Sequence, residues 1–431
     1  MSRAPVPPGI TPAQTHSKTH MDTGAFLAGQ AEARLDDLRS GAAWEALCDN
    51  LRDLGRDMLA SEFAADDRER ADGYRYLLGL LTIRLHKLLY QTSPENPAFL
   101  RLMDDVLKFG LDNPDGVNSK TCDLSDAYTY RLYGRAGGER FVEFIQSGAN
   151  GTLSNHFLND FAIAPDGRFD ITLSREPVPG NWMPLAPGVR ALNIRQIQYD
   201  WDAEGYSEIH IAGPGTGTTP ECLKSPPPAQ VAAELRALGA VMTSEFAFWQ
   251  DYTRAFRREG DNVIPADQPL AQSGYSKVRA APKGFFHLEP DQAMLLEFDD
   301  PGGLFWSVAL GDTWFRSFDP AFAHVSLNGA QARRDADGTY RIVIAHADPG
   351  IANWLDTCGH QRGNMTFRYV KTAQRPAARL TVAPLADILA LLPPGTARVL
   401  PDERAAIIAR RAAAYARRYA EPTTTRWSRF S

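Results

Sequence analysis

The spacing of apolar residues along this chain switches between a helical and a strand period. Between residues 24 and 60, apolar side chains recur three and four positions apart, which places them on one face of a helix. This stripe consists of Trp44, Leu47, Leu51, Leu54 and Met58. Leucines repeat the pattern between residues 71 and 90, and a third helix is predicted through Phe99, Leu102, Val106 and Leu107. Together these stretches predict an N-terminal helical layer.

After a cluster of turn-forming residues at 112–116, apolar and polar residues alternate over short runs separated by glycine. Such alternation, bounded by turns, predicts antiparallel strands. The runs lie at 127–133, 141–145 and 169–173, and they resume at 294–298, 305–309, 340–344 and 365–369. A Gly-, Thr- and Pro-rich stretch at 213–228 and a long predicted helix at 229–258 separate the two groups. The pattern therefore predicts two β modules, followed by two helical pieces at the C-terminus.

The two predicted modules share a signature that indicates an internal duplication. In each, an Asp-Gly turn feeds a strand, at Asp166-Gly167 in the first copy and at Asp337-Gly338 in the second. A short loop then leads to Asn181-Trp182 or to Asn353-Trp354. In the first copy we interpret this pair as a structural staple, because Asn can satisfy loop backbone groups and Trp supplies an apolar anchor.

The second copy carries more chemistry than the first. Asn353-Trp354 is followed within one loop by a carboxylate, a thiol and an imidazole, at Asp356, Cys358 and His360. For this copy a structural role and a ligand-binding role both remain open. The asymmetry between two otherwise matching copies is the reason for predicting any activity near Asn353-Trp354.

Composition narrows the classes of function. The 431 residues allow two or three domains, and a net charge of -6 gives no electrostatic reason for a nucleic-acid partner. The four cysteines are scattered, which supports neither a zinc ribbon nor a disulfide framework. Residues 1–20 lack the apolar core of a signal peptide, and no apolar run reaches the length of about 18 residues that a membrane span needs. We therefore predict a cytoplasmic protein with no membrane partner.

Several segments resemble the bacterial proteins grouped as a domain of unknown function, DUF1214. They are Gly73-Tyr74-Arg75-Tyr76-Leu77-Leu78, residues 112–115, residues 128–131, and above all residues 348–357 with Gly359-His360. The resemblance covers roughly residues 72–369 and implies jelly-roll-like β sandwiches, but it implies no established activity. The chain departs from the typical loop at Cys358, where a small residue such as Ala is expected, and this weakens any case for a catalytic thiol.

The predicted fold class is α+β: two antiparallel jelly-roll-like β-sandwich modules, related by internal duplication, with N-terminal, connecting and C-terminal helices. The predicted boundaries are a disordered leader at 1–22, a helical region at 23–112, a first β module at 113–212, a linker and long helix at 213–274, a second β module at 275–375 and C-terminal helices at 376–431.

The candidate catalytic residues are His360, Asp356 and Arg368. A neutral imidazole near a carboxylate can move a proton, and the guanidinium can hold an anionic or oxyanionic group. The candidate ligand-binding residues are Asn353, Trp354, Trp306, Trp314, Arg316 and Tyr130, which make a mostly apolar pocket with polar anchors if they converge. Ordinary core packing of the aromatic residues is the alternative.

No cofactor is predicted. A divalent metal held by His346, Asp348 and His360 is a weaker alternative, because a His-x-Asp pair at a strand end presents two ligands and a later loop supplies a third. His346 also fits a hydrogen-bonded histidine at the edge of the core. A phosphate loop is not supported, because the glycine-rich stretch after residue 212 lacks the Gly-Lys-Ser/Thr ending.

Two hypotheses about function follow. The first is an enzyme of small-molecule catabolism that acts by acid–base chemistry on a largely apolar or aromatic substrate in the second module. The second is a non-catalytic β-sandwich protein that binds carbohydrate or lipid. Both take a small-molecule ligand, and self-association into a homo-oligomer is left open by the sequence.

Overall fold

A computed structural model describes residues 31–89, 92–101, 103, 106–110, 112–203, 205–216, 226–265 and 279–419. The leader predicted at 1–22 lies outside the described residues. The helices in this part of the chain are α1 (Ala31–Ser40), α2 (Ala42–Ala60), α3 (Asp67–Leu89), α4 (Pro228–Arg257), α5 (Leu385–Ala390) and α6 (Pro401–Tyr419). None of them combines the length and the apolar character that a membrane span requires.

Eighteen strands lie in the same part of the chain. Those of the first half are β1 (Leu100–Arg101), β2 (Gly116–Asp123), β3 (Tyr130–Arg135), β4 (Phe141–Gly148), β5 (Gly151–Phe157), β6 (Arg168–Ser174), β7 (Trp182–Pro184), β8 (Ala191–Ile197) and β9 (Glu208–Ala212). Those of the second half are β10 (Arg279–Ala280), β11 (Lys283–His287), β12 (Gln292–Asp299), β13 (Phe305–Gly311), β14 (Ser326–Asn328), β15 (Thr339–Ala345), β16 (Trp354–Asp356), β17 (Arg362–Val370) and β18 (Arg379–Pro384).

The helical layer has its own core. Buried apolar side chains from α2, α3 and α4 meet there, among them Met58, Leu80 and Met242. The predicted stripe on α2 is correct for Leu47, Leu54 and Met58, whereas Trp44 in the first turn of α2 is 58% exposed. The layer confirms the amphipathic pattern over most of these helices.

A reciprocal pair of hydrogen bonds fixes the start of α3. The Glu69 N–H donates to the Asp66 carboxylate (2.9 Å), and the Ala65 N–H donates to the Glu69 carboxylate (3.0 Å). This arrangement differs from a capping box by one residue, because the Glu69 carboxylate accepts from Ala65 and not from the cap residue Asp66, and it pairs one backbone donor of the first helical turn. Asp66 therefore caps α3.

The helix predicted between Phe99 and Leu107 is wrong. The described residues of this segment contain no helix, and Leu100–Arg101 forms the short strand β1 against β2. Phe99 and Leu100 are buried at this edge of the first module. Pro94 and Pro97 precede them and disfavour helix, and apolar spacing alone does not distinguish a helix from a buried irregular segment.

The two β modules have the same strand order. In the first, one sheet contains β2-β8-β4-β5 with β1 at its edge, and the other contains β7-β6-β3-β9. Adding nine to each strand number gives the second module, with β11-β17-β13-β14 in one sheet and β16-β15-β12-β18 in the other. In both, the Asn-Trp strand is the parallel neighbour in its sheet, β7 beside β6 and β16 beside β15. The internal duplication predicted from the signature is therefore present in the topology.

Each module buries one apolar core between its two sheets. In the first module the core includes Phe144 and Ile194 from one sheet and Leu132 and Ile171 from the other. The second core is larger and is built in the same way, so each module is β-sandwich-like and the fold class is α+β. β18 is a correction to the sequence interpretation, because residues 376–431 were expected to form helices only.

The second module is covered on the outside as well as packed within. The short helix α5 follows β18 directly, and Ile388 of α5 is fully buried against the outer face of the β16-β15-β12-β18 sheet. The equivalent sheet of the first module carries no helix in this position among the described residues, because the chain leaves β9 for the linker that precedes α4. The outer face of this sheet is therefore covered in the second module and open in the first.

Candidate functional site

An open depression of about 610 Å³ lies on the outer face of the β7-β6-β3-β9 sheet in the first module. Its walls come from three neighbouring parts of the chain: β3, β6 with the loop that leads to the Asn-Trp pair, and the end of β9. The lining residues are Thr129, Tyr130, Arg131, Asp170, Thr172, Pro179, Gly180, Asn181, Ala212, Gly213 and Pro214. Hydroxyl, carboxylate, guanidinium and amide groups are thus present in one surface hollow.

An ion pair with two-point geometry lies in this depression. Arg131 donates from Nε (2.9 Å) and from Nη2 (2.6 Å) to Oδ2 of Asp170 on the adjacent strand, and Nε also lies 3.0 Å from Oδ1. Both side chains are more than half exposed, at 59% and 54%. The Arg131 guanidinium also lies over the ring of Tyr133, 4.6 Å from its centroid. The pair is therefore held in place by the sheet while its outer side faces solvent.

In the second module, the position equivalent to this depression is occupied by α5. The strand register shows which positions of the two modules are equivalent. Trp182 pairs with Thr172 on β6, and Trp354 pairs with Val343 on β15. The equivalent pairs are Thr172 and Val343, Arg131 and Leu295, and Thr129 and Ala293. The three second-module residues form an apolar cluster with Ile388 of α5. At these three positions a polar, open face in one copy corresponds to an apolar, covered face in the other, whereas Asp170 corresponds to Arg341, which is also charged.

The Asn-Trp pair of the first copy makes the contacts of a staple. The Asn181 side chain accepts from the Ala162 N–H and donates to the Ala162 carbonyl, both at 2.8 Å. The Trp182 indole N–H donates to Oγ of Ser174 (3.1 Å) at the end of β6. The pair therefore fastens its loop to β6 while Asn181 also borders the depression.

The second copy repeats these contacts more deeply. Asn353 accepts from the Arg333 N–H (2.7 Å) and donates to the carbonyls of Arg333 (2.6 Å) and Arg341 (2.9 Å). The Trp354 indole N–H donates to the carbonyl of Ala345 (3.2 Å), the last residue of β15. Asn353 is 5% exposed and Trp354 is 6% exposed. The amide of Asn353 is thus engaged with the backbone, and the asymmetry expected between the copies lies elsewhere.

His360 is paired with a carboxylate that the sequence interpretation did not include. Its Nε2 lies 2.8 Å from Oδ2 of Asp72 on α3, and its Nδ1 lies 3.2 Å from the carbonyls of Thr357 and Cys358. The imidazole also packs on the Phe318 ring, with centroids 4.5 Å apart. Both ring nitrogens of His360 thus face hydrogen-bond acceptors.

Asp72 belongs to a chain of charges that links α3 to the second module. Arg316 donates from Nη2 to Asp72 (3.1 Å) and from Nε to Asp312 (2.8 Å). Burial raises the pKa of Asp72, but the hydrogen bond from His360 and the charges of His360 and Arg316 outweigh it, so this pKa is lowered. Burial dominates at Asp312 and raises its pKa. The cluster is therefore an ionic contact between two parts of the fold.

The predicted partners of His360 have separate contacts. Asp356 accepts from the Cys358 N–H (2.7 Å), and burial raises the pKa of Asp356. Arg368 is 8% exposed and donates from Nη2 to the carbonyl of Asp112 (2.9 Å). Burial raises the pKa of the Cys358 thiol to about 12, which keeps it protonated. The expected pairing of His360 with Asp356 is thus replaced by the pairing with Asp72.

The predicted aromatic residues do not form one pocket. Trp306 packs in the second-module core against Phe298 and Tyr340. Trp314 packs into the helical layer, and its indole N–H donates to the carbonyl of Glu69 (2.9 Å). Tyr130 belongs to the first-module core, and its hydroxyl accepts from the Ser125 N–H (2.8 Å). The alternative of ordinary core packing fits the positions of all three.

The residues of the metal alternative have different partners. His346 contacts the Thr357 hydroxyl through Nδ1 (2.7 Å) and the Glu289 carbonyl through Nε2 (3.1 Å). Asp348 accepts from Arg404 (2.9 Å), and His360 contacts Asp72. Within the described residues, no group of three or more His, Cys, Asp or Glu side chains is arranged to hold a metal ion.

Comparisons with known proteins extend the sequence interpretation. Residues 286–374 match the family model described as a protein of unknown function (DUF1214), which confirms the predicted resemblance for this segment. The chain is similar to a solved structure of an uncharacterised protein from Burkholderia cenocepacia, with 29% identity and a TM-score of 0.73 over 82% of this chain and 99% of that one. The VPA0106 protein from Vibrio parahaemolyticus is 11% identical, with a TM-score of 0.42 over 71% of this chain and 98% of that one. No protein with a curated description matches.

Proposed function

We propose that this protein is a non-catalytic binding protein that takes a carbohydrate in the depression of the first module. The observation that carries the proposal is the polar hollow of about 610 Å³ at the place where the second module is filled by α5. Duplication supplied both copies with the same sheet, so the difference between their outer faces points to a use for the open one.

The lining favours a hydroxyl-rich ligand over a lipid. Arg131 and Asp170 offer a donor and an acceptor on rigid strands, and Thr129 and Thr172 add hydroxyls beside them. A sugar has several hydroxyl groups that both donate and accept, and each hydrogen bond to a charged side chain is worth about 1.5–3 kcal/mol. A lipid chain would remove water from the Arg131–Asp170 ion pair and from the threonine hydroxyls without offering them hydrogen bonds, which is unfavourable.

A panel of mono- and disaccharides, tested by saturation-transfer NMR with the full chain, examines the proposal. We expect at least one sugar to bind, and we expect the double variant Arg131→Leu/Thr172→Val to weaken that binding by at least about tenfold, which is 1.4 kcal/mol. These two substitutions introduce the residues found at the equivalent second-module positions, Leu295 and Val343.

Arg168→Ala is the matched control. Arg168 also lies on β6 and is 75% exposed, but it does not line the depression. Sugar binding should therefore be unchanged in this variant. Equal loss in both variants, or no binding by any sugar in the panel, would contradict the proposal.

A second candidate function is the acid–base enzyme with an apolar or aromatic substrate. Its support is the oriented pair of His360 and Asp72, with Arg316 beside the carboxylate. In this candidate Asp72 takes the role assigned to Asp356 in the sequence interpretation. The two acceptors at Nδ1 weigh against a free base, since a general base needs an unprotonated nitrogen within reach of its substrate.

Metabolite profiling separates this enzyme candidate from the binding proposal. A bacterial extract is incubated with the wild-type chain or with His360→Gln, and consumed metabolites are measured by mass spectrometry. A compound consumed only by the wild-type chain supports the enzyme. If both chains leave every compound unchanged, the acid–base candidate is rejected while the sugar-binding proposal still stands.

The proposal also retains several expectations drawn from the sequence. They are a jelly-roll-like description of the modules, a bacterial and cytoplasmic setting, a small-molecule ligand, no cofactor, and self-association left open. The two-sheet modules support the jelly-roll-like description. Subcellular fractionation and size-exclusion chromatography test location and association.

A further inference from the structure

A row of stacked planar side chains crosses the outer face of the β7-β6-β3-β9 sheet beside the depression. The Arg131 guanidinium, which is held by Asp170 on β6, lies over the Tyr133 ring of β3, 4.6 Å from its centroid. The Tyr133 ring stacks with the His210 ring of β9, with centroids 5.4 Å apart and ring planes inclined by 29°. Nε2 of His210 lies 2.7 Å from a carboxylate oxygen of Glu208. The stacked row therefore joins β6, β3 and β9 and has a carboxylate at each end.

The strand register explains why these side chains meet. Tyr133 pairs with Asp170 on one side and with His210 on the other, so the three residues lie directly opposite one another. The residues that precede the two rings in the chain, Leu132 and Ile209, are buried in the core. Alternation along a strand therefore turns both rings outward. The stacked row shares Asp170 with the lining of the depression and so borders the depression along one of its sides.

The depression is wide enough for more than one sugar ring. Its lining runs from Pro179 in the loop before the Asn-Trp pair, across β6 and β3, to Pro214 after β9. Neighbouring strands lie about 4.8 Å apart, so three strands span roughly 10 Å from centre to centre, which exceeds the width of one pyranose ring. Clefts of about 300–1,000 Å³ usually hold drug-sized ligands, and this one measures about 610 Å³. Two linked rings therefore fit across the strands, whereas a single ring would leave one end empty.

The two ends of the depression offer different contacts. At the β6 end, Asp170 and Thr172 provide a carboxylate and a hydroxyl. The β9 end is formed by Ala212, whose side chain is only a methyl group, and His210 precedes it by two residues on the same face. An imidazole has an apolar body as well as a polar tip, so it suits the C–H groups of a sugar ring. One ring can therefore hydrogen-bond at β6 while a second packs over Ala212 beside His210.

We infer that the ligand of the depression is a neutral oligosaccharide of at least two units, which lies across β6, β3 and β9 with its second unit over Ala212 beside His210. This inference rests on the proposed sugar site and names the class of sugar that it takes. The charge of Arg131 is balanced by Asp170, and the stacked row ends in the carboxylate of Glu208, which is 67% exposed. An acidic sugar would bring further negative charge to this face, which is unfavourable. The stacking also holds the side chains in place before the ligand binds, so little side-chain freedom is lost on binding.

Isothermal titration calorimetry of the full chain with sugars of one and two units tests the inference. The probes are glucose, galactose and mannose, their neutral disaccharides maltose, cellobiose, lactose and mannobiose, and the acidic digalacturonate. We expect at least one neutral disaccharide to bind about tenfold or more tightly than each of its component monosaccharides, and to bind more tightly than digalacturonate. Equal affinities for disaccharides and their components, or tighter binding of digalacturonate, would overturn the inference while the sugar site still stands. No binding by any sugar would reject the proposed function as well.

A matched pair of variants locates the second unit. Ala212→Tyr places a large ring at the β9 end of the depression, whereas Arg135→Tyr places the same ring at an exposed position of β3 on the far side of the stacked row. We expect Ala212→Tyr to reduce the ratio of disaccharide to monosaccharide affinity to about one, and Arg135→Tyr to keep the wild-type ratio. If Ala212→Tyr does not fold, His210→Ala makes the same test, because it removes the ring beside that end. A wild-type ratio in the folded variant, or the same loss in Arg135→Tyr, would overturn the inference.

Discussion

The outer faces of the β7-β6-β3-β9 and β16-β15-β12-β18 sheets occupy equivalent positions in the two modules, and their surroundings are opposite. On the first face, Arg131 and Asp170 are exposed and border an open depression. On the second, Leu295 and Val343 are buried under α5. One duplicated framework can therefore carry a covered face in one copy and an open face in the other, because each module buries a core of its own between its two sheets.

The largest loss of stability is expected when the arginine of the open face is introduced at the equivalent position of the covered face. Leu295 is 2% exposed, so Leu295→Arg buries a guanidinium among apolar groups, which costs several kcal/mol. We expect this variant to lose about 4 kcal/mol or more of its free energy of unfolding, or to fail to fold. Urea denaturation followed by tryptophan fluorescence measures the loss.

The reciprocal variant Arg131→Leu is the control for Leu295→Arg. It changes an exposed residue at the equivalent position, where the effect should stay within about 0.5 kcal/mol. Similar losses in the two variants would mean that the two outer faces are not as different as their burial indicates.

The next largest effect on stability is expected from removing the Asn side chains of the two Asn-Trp staples. Asn353→Ala removes three partly buried hydrogen bonds and leaves the Arg333 N–H without its acceptor, for which we expect a loss of about 3 kcal/mol. Asn181→Ala removes two bonds at a more exposed site, for which we expect about 1 kcal/mol. Thermal and urea unfolding of both variants measure the difference. A larger loss at Asn181 would reverse the ranking of the staples.

The ionic contact between α3 and the second module should give a smaller, pH-dependent effect. The pKa of Asp72 is lowered in the folded state, so the unfolded chain binds more protons in acid. The stability that Asp72 contributes is present above its unfolded pKa of about 3.9 and is lost as pH falls through its folded pKa. We expect Asp72→Asn to cost about 1–2 kcal/mol at pH 7 and progressively less below pH 4.

Urea unfolding of the wild-type chain and Asp72→Asn over a pH series tests this expectation. Asp170→Asn in the first module is the comparison, because its ion pair with Arg131 is exposed and screened by solvent, and such pairs contribute little. A cost of Asp72→Asn that does not change with pH would rule out ionisation as its source.

The smallest effect is expected for Thr172→Val. Thr172 lies on the open face of β6 and is only partly buried, and both Thr and Val suit a strand. The free energy of unfolding should change by less than about 0.5 kcal/mol, as measured by urea denaturation. Val343→Thr, which places a hydroxyl in the covered cluster, should cost more. Equal costs would indicate that α5 does not seal its face.

Sequence patterns predict the strands and the duplication well because both depend on local chemistry. The Asp-Gly turns and the alternation after them predict β6 and β15, and the repeated Asn-Trp pair predicts the common topology. The site is predicted less well. His360 was identified from its loop, whereas its carboxylate partner Asp72 comes from α3. The only local hint was its place beside the Gly73–Leu78 run that carries part of the family resemblance.

The open depression was not predicted, although a signal for it is present. The outward positions of β3 and β6 carry Arg131, Thr172 and Asp170, whereas the equivalent positions of β12 and β15 carry Leu295, Val343 and Arg341, so two of the three become apolar. Comparing outward residues between the copies would have located the face that a helix covers. The loop after Asn353-Trp354 is richer in reactive side chains, which by itself favours the second module instead.

The sequence by itself determined the helical layer, the two strand-rich modules and their duplication, because turn chemistry and the period of apolar residues act over a few neighbouring positions. Only the tertiary structure decided which face stays open and which carboxylate meets His360. These features depend on contacts between segments far apart in the chain, such as α5 on β15 or Asp72 beside His360. Local periodicity shows that a side chain has a buried or an exposed face, but it does not show what that face will meet.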